Sequence, residues 1–209
     1  MRVLALLFLL VGVAHAAPAS DFELWSELDL SAQLGERWSL LFPFVARNSA
    51  QLSNPQLVGE GAIVSWRWTE RVQLNGGYLV VSLPNTGRGF TVQAPLAAVT
   101  FGQRIGRFRL SDRNRAERLI GVPRDPFRYR NRFVVDVPIA SEAWRVFAAD
   151  EVFYDFTAAA WTQNRFQVGA GRRLSRKTAL EVYYLERSLR HAAPGSTHAL
   201  GLTLEVRLR

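Results

Sequence analysis

From Phe22 the even positions read Phe22, Leu24, Ser26, Leu28, Leu30, Ala32 and Leu34, and the odd ones Glu23, Trp25, Glu27, Asp29, Ser31 and Gln33. A period of two sustained this long predicts a β-strand with one apolar and one polar face. The pattern restarts after Gly35-Glu36-Arg37 with Trp38, Leu40, Phe42, Phe44 and Ala46 on one face. It ends the chain with Leu200, Leu202, Leu204, Val206 and Leu208 on one side and Thr203, Glu205 and Arg207 on the other. Eleven such segments are predicted, near 22–34, 38–47, 56–68, 72–83, 90–104, 107–119, 126–139, 144–155, 162–174, 178–188 and 197–208. None of the chain carries a helical period.

The connections alternate in length. Gly35-Glu36-Arg37, Thr69-Glu70-Arg71, Ile105-Gly106, Ser141-Glu142-Ala143 and Ser175-Arg176-Lys177 are tight, whereas 47–55, 84–89, 120–126, 157–160 and 188–196 are longer. Tight turns on one side and long loops on the other describe an outer-membrane barrel with periplasmic turns and extracellular loops. Tilted strands of about 9 to 11 residues cross the hydrocarbon, which these segments satisfy. The expected fold is therefore all-β, an antiparallel transmembrane β-barrel of about 10 to 12 strands. Eleven antiparallel strands conflict with the even numbers of bacterial single-chain barrels. Three resolutions stand open: a first segment outside a ten-stranded barrel, an unseen twelfth strand, or a parallel pairing of first and last strands.

Ahead of the strands, Arg2 precedes the apolar run Val3 to Val13, and Ala14-His15-Ala16 has the small-x-small pattern of a cleavage site. Residues 1–16 read as a secretory signal peptide, leaving 17–209 as one barrel domain. The apolar run is too short for a membrane-spanning helix, which takes roughly 20 residues. Export places the barrel in the cell outer membrane, with outer-membrane lipid and the barrel-assembly machinery as expected partners. Trp38, Trp66, Trp68 and Trp144 all lie within a few residues of a tight turn, where an interfacial aromatic girdle is expected.

The composition narrows the chemistry. The 209 residues are 48% hydrophobic and 21% charged, with no cysteine and a net charge of +8. A disulfide scaffold, a thiolate metal site and a disordered polyelectrolyte are excluded. No zinc, calcium or phosphate-loop spacing occurs, so no cofactor or metal is expected. Beyond residue 16 the charge is +7, and ten arginines between Arg104 and Arg132 stand against Asp112, Glu117 and Asp125. On the seventh segment Phe127, Tyr129, Phe133, Val135 and Val137 alternate with Arg128, Arg130, Arg132 and Asp136. Arginine on the lipid face costs about 2 to 4 kcal/mol near mid-bilayer, so three in register must face the lumen. The same parity sends Glu23, Glu27, Asp29, Arg113, Arg115, Glu117, Arg165, Glu181 and Glu205 inward. Arginines opposite carboxylates make an ion-paired interior, either structural packing or a narrow passage for small anions. Basic residues spaced at strand period on an exported chain exclude a nucleic-acid partner.

Two alternatives come from other classes. An outer-membrane lipid hydrolase would use His198 with Ser196, two residues apart; Glu205 shares their strand at opposite parity, and His191 falls in a loop. Asp150 and Glu151 point to opposite faces and cannot share a proton or a metal. A soluble periplasmic barrel binding a small ligand would need polar outer faces, which Leu200 to Leu208 do not supply.

Trp25, Trp38, Phe127-Arg128-Tyr129-Arg130-Asn131-Arg132-Phe133 and Asp150-Glu151-Val152-Phe153-Tyr154-Asp155 together resemble the bacterial outer-membrane barrels grouped as domain of unknown function 2490. The resemblance continues in Gln163-Asn164-Arg165-Phe166-Gln167-Val168-Gly169 and Leu180-Glu181-Val182-Tyr183-Tyr184, and covers nearly all of the chain after residue 16. It implies an exported barrel with no assigned activity. Such barrels usually end on an aromatic residue, where this chain ends Leu208-Arg209.

Overall fold

The computed structural model describes residues 22–49, 55–84, 90–139, 141, 143–190 and 196–208. The expected signal segment and His191 lie outside them. The alternating segments form eleven strands: β1 (Phe22–Gln33), β2 (Trp38–Ser49), β3 (Pro55–Arg67), β4 (Val72–Leu83), β5 (Phe90–Ile105), β6 (Phe108–Arg118), β7 (Phe127–Ile139), β8 (Trp144–Asp155), β9 (Ala160–Arg173), β10 (Thr178–Leu189) and β11 (Ser196–Arg207). Every boundary lies within two residues of the sequence expectation. β9 starts two residues early because of a bulge opposite Phe153 and Tyr154. There Trp161, not Thr162, pairs with Tyr154, so the side-chain alternation reverses for the top of the strand.

Each strand pairs antiparallel with its neighbours in sequence, and the sheet closes on itself. The closing seam is parallel: β1 runs beside β11 from Phe22 opposite His198 to Ser31 opposite Arg207. Of the three resolutions, this is the one adopted. An odd count needs such a seam, because the first and last strands then point the same way. The even-number expectation yields here to a ladder of ten residue pairs, one fewer than in each of the antiparallel ladders beside it.

The tight turns are fixed by local chemistry. β5 and β6 are joined by Gly106-Arg107 alone, and Gly106 has φ +59°. A two-residue hairpin needs positive φ at its first central position to match strand twist, which glycine adopts without strain. In the turn from β3 to β4 the Thr69 hydroxyl accepts from the Arg71 and Val72 amides, at 3.2 and 3.0 Å. Ser175 does the same for Lys177 and Thr178 between β9 and β10, at 3.1 and 3.0 Å. Hydroxyls that bond the backbone two and three residues on hold such turns closed.

Pairing across the ladders sorts the residues by face. Glu23, Trp25, Glu27 and Asp29 point inward from β1, and the register carries this side around the barrel to Arg113, Arg115 and Glu117, Arg128 to Asp136, and Glu181 to Arg187. The core lies inside the lumen, where Trp25, Phe147, Tyr183, Leu185 and Ala199 form one buried cluster. From β5, Val92, Ala94 and Leu96 are buried on the same side. Leu200 and Leu202 point out and are 45% and 44% exposed. Apolar side chains thus fill part of the inside and also cover much of the outside.

Candidate functional site

The alternation that forms the strands also decides what meets in the lumen. Glu117 on β6 is only 1% exposed and takes three guanidinium groups: Arg115 at 2.5 Å, Arg128 through Nε at 2.6 Å and Arg130 at 3.5 Å. Glu151 on β8 accepts from Arg130 at 2.9 Å and Arg113 at 3.1 Å, with Arg165 at 3.5 Å. Arg130 therefore bridges the two carboxylates. Isolated charges would not survive this burial, and shared donors and acceptors are what make it tolerable.

A second group lies nearer the tight turns. Asp136 pairs with Arg109 at 2.7 Å and with Arg145 at 2.5 Å, and Arg145 also reaches Glu181 and, at 3.7 Å, Glu205. On the closing seam Glu27 lies beside Thr203 and Asp29 beside Glu205. Asp29 Oδ1 is buried without a hydrogen-bond partner among the described residues. Near the long-loop end, Glu23 accepts from the Trp25 indole at 2.6 Å and from Arg187 at 2.8 Å. Arg132 donates to the Gln167 amide oxygen at 3.1 Å rather than to a carboxylate.

Aromatic rings connect these groups across the lumen. The Arg47 guanidinium lies 3.8 Å from the Trp25 ring centroid, and Arg165 lies 5.2 Å from it on reaching over from β9. Arg165 is also 4.6 Å from the Phe153 ring, with Arg130 at 4.6 Å and Arg128 at 5.3 Å. Arg47, Trp25, Arg165, Phe153 and Arg130 form a continuous stack from β2 to β7. Strands β10 and β11 separate β1 from β9, so the Trp25 to Arg165 contact spans the interior. Each cation–ring contact of this kind contributes about 0.5 to 2 kcal/mol.

All thirteen residues expected in the lumen lie on its inner face. Arg113, Arg115, Glu117, Arg128, Arg130 and Arg165 share one cluster, Asp136, Glu181 and Glu205 a second, and Glu23 pairs with Arg187. Glu27 and Asp29 lie along the seam instead, and Arg132 bonds Gln167. Parity reasoning missed Arg109, Arg145, Arg187 and Glu151 from the ion network, and Arg47, Trp25, Phe147 and Phe153 from the stacking and packing. On β8 both faces mix charge and hydrophobe, so alternation alone does not orient it. Placing Trp144 on the outside would have done so, since Phe147, Glu151 and Phe153 then turn inward.

The charge surplus sits elsewhere than the run from Arg104 to Arg132 suggests. Of those ten arginines, Arg104 and Arg107 lie at a tight turn, Arg118 points outward and Arg124 lies in a loop. The lumen between its two rims holds ten arginines against eight carboxylates, nearly balanced. The outer face carries Glu60, Asp112, Asp150 and Glu186, with His198 opposite Glu186 and no arginine or lysine between the rims among the described residues. Asp112 accepts from Asn131 at 2.5 Å and Asn114 at 3.3 Å, and Asp150 accepts from Asn164 at 2.9 Å. The positive excess lies at the tight-turn rim. Arg37, Arg67, Arg71, Arg104, Arg107, Arg172, Arg173, Arg176, Lys177 and Arg207 stand there against Glu36 and Glu70, among the described residues.

Trp38, Trp66 and Trp144 point outward at that same end, Trp38 stacking on Trp66 with centroids 6.0 Å apart. Trp68 lies in the turn beyond β3, 58% exposed. Ser196 and His198 share the outer face of β11, whereas Glu205 faces the lumen near the opposite end. His198 Nδ1 lies 2.5 Å from the Tyr184 hydroxyl, and Glu186 is opposite His198 on β10.

A family model described as protein of unknown function, DUF2490, matches residues 22–198. No curated protein matches the chain. Among solved structures it is similar to an anion-selective porin from Comamonas acidovorans, with 11% identity over 83% of this chain and a TM-score of 0.43. It is similar also to the outer-membrane expressed OmpT of Vibrio cholerae, with 10% identity over 72% of this chain and a TM-score of 0.39. The chain spans about half the length of these two, 53% and 54%.

Proposed function

The chain belongs to the DUF2490 family, and from that premise we propose an outer-membrane β-barrel whose lumen is closed, a structural element of the membrane rather than an open pore. The observation that carries this is the transluminal stack of Arg47, Trp25, Arg165, Phe153 and Arg130, pinned by Glu117 and Glu151. Charge order supports the same reading. Nearer the tight turns Arg109 and Arg145 are paired in turn with Asp136, Glu181 and Glu205, so guanidinium groups and carboxylates alternate along the lumen and offer no run of one sign. Neither sign finds a continuous path. Tight turns gathered at one end, an apolar outer face on β11 and tryptophans at one level are the features expected of a barrel standing in the outer membrane.

The test is conductance in planar bilayers, on protein shown by heat-modifiable gel mobility and outer-membrane fractionation to be a membrane barrel. Wild-type chain is expected to show no unitary steps. Joint Trp25→Ala and Phe153→Ala substitution removes both rings of the stack and is expected to introduce them. A steady anion-selective conductance from the wild type, reduced by Arg128→Ala or Arg130→Ala, would establish a passage instead. Recovery with soluble periplasmic contents would overturn the membrane assignment itself.

A further inference from the structure

We propose that the basic tight-turn rim is a binding surface for anionic phospholipid headgroups of the leaflet surrounding it, a step that rests on the membrane-barrel reading above. Four of the five tight turns contribute cations, as Arg37, Arg71, Arg107 and Arg176 illustrate. These side chains are exposed. A partner protein docks on one side of a rim, whereas a lipid annulus encircles it, and the cations are distributed in the second way.

The height of the ring is set by its neighbours. Trp38, Trp66 and Trp144 point outward at the ends of their strands, and tryptophan rings settle at the headgroup boundary. Arg37 lies one residue beyond Trp38 and Arg67 one beyond Trp66, about 3 Å further toward the turns. Arg172 joins the two levels, its guanidinium 4.8 Å from the Trp144 ring. In the turn from β9 to β10, Arg173, Ser175 and Arg176 line an open cleft of about 380 Å³. Two guanidinium forks and a hydroxyl match a phosphodiester, which accepts several charge-assisted hydrogen bonds at once. The long-loop rim offers no such field, because among the described residues Arg118, Arg124 and Arg190 are there offset by Asp125 and Asp155, a surplus of one charge. Since short turns mark the periplasmic side, the lipid is the inner-leaflet anionic phospholipid.

The test is competitive lipid retention. Chain refolded into mixed phosphatidylcholine and phosphatidylglycerol vesicles is extracted, and the lipids it keeps are weighed by native mass spectrometry. Basic clusters against anionic surfaces predict a preference for phosphatidylglycerol of about tenfold. Joint Arg71→Gln, Arg173→Gln, Arg176→Gln and Lys177→Gln substitution is expected to bring this to near parity, and Arg118→Gln with Arg124→Gln and Arg190→Gln to leave it unchanged. Heat-modifiable mobility, read on every sample, reports barrel formation separately, so a chain that is no membrane barrel is distinguished from a folded one indifferent to headgroup charge. If the fourfold variant does not fold, Arg176→Gln with Lys177→Gln alters only exposed turn residues and must lower the preference severalfold. Equal retention of both lipids by folded wild type, survival of the preference in the turn variants, or equal loss in the long-loop variant would overturn the proposal.

Discussion

Replacing Glu117 with glutamine is expected to lower the unfolding free energy of the barrel by about 3 to 5 kcal/mol, the cost of leaving buried partners of a charge without it. The carboxylate is 1% exposed and receives Arg115, Arg128 and Arg130, so Arg115 and Arg128 lose their counter-ion in one step while Arg130 keeps Glu151 alone. The neutral amide keeps the shape and one acceptor, which isolates charge from volume. Urea unfolding in vesicles, followed by tryptophan fluorescence, measures it, because Trp25 lies in the affected stack. Glu70→Gln in an exposed turn is the control and is expected to stay within about 0.5 kcal/mol of wild type. If both variants behave alike, the network is not what holds the interior. Joint Glu117→Gln and Arg115→Met is expected to recover part of the loss, since a cluster shortened by a whole pair leaves less unpaired charge than one missing only its acid.

The second large effect is expected at the closing seam. Gly201 lies opposite Trp25 on β1 and Tyr183 on β10. A Cβ built there would come within 2.0 Å of the Tyr183 ring, which lies flat over the missing side chain. Gly201→Leu therefore forces either the ring out of the core or the seam apart. Overpacking of this kind costs about 1 to 3 kcal/mol, and more where backbone must move. Tyr183 is only 5% exposed in a cluster with Trp25, Phe147, Leu185 and Ala199, so the displacement spreads. The expected result is a lower urea midpoint and a reduced folded band on unheated gels. Tyr183→Ala combined with Gly201→Leu is expected to cost less than the two singly added. Strict additivity would show that the ring and the glycine do not share one space.

The strands were legible because each face repeats its own chemistry. Along β11, Leu200 to Val206 and Thr203 to Arg207 leave little choice of element or of side. Closure was not legible, since alternation within a strand says nothing of which strand lies beside it. A parallel seam uses the same local pattern as an antiparallel one. In the lumen, parity found Glu117 and the three arginines of β7, where alternation with Phe127 and Tyr129 is clean. It did not find Arg145 or Glu151, whose strand carries Phe147 and Phe153 among the inward charges and Asp150 among the outward hydrophobes. A sequence window also cannot separate lumen, rim and loop. The arginines from Arg104 to Arg132 look like one wall and occupy four settings.

The parallel seam has a bearing on the display of the chain. With an odd number of strands, Phe22 begins β1 at the long-loop end while Arg207 finishes β11 at the tight-turn end. If the loops are extracellular, an epitope fused just ahead of Phe22 stands on the cell's exterior, and one fused after the last strand stands in the periplasm. Antibody added to unbroken cells is expected to stain the first and not the second, and staining of the second alone would reverse the orientation. In a barrel that stands in the outer membrane as proposed, the odd strand puts the two ends of the sheet on opposite sides of the bilayer.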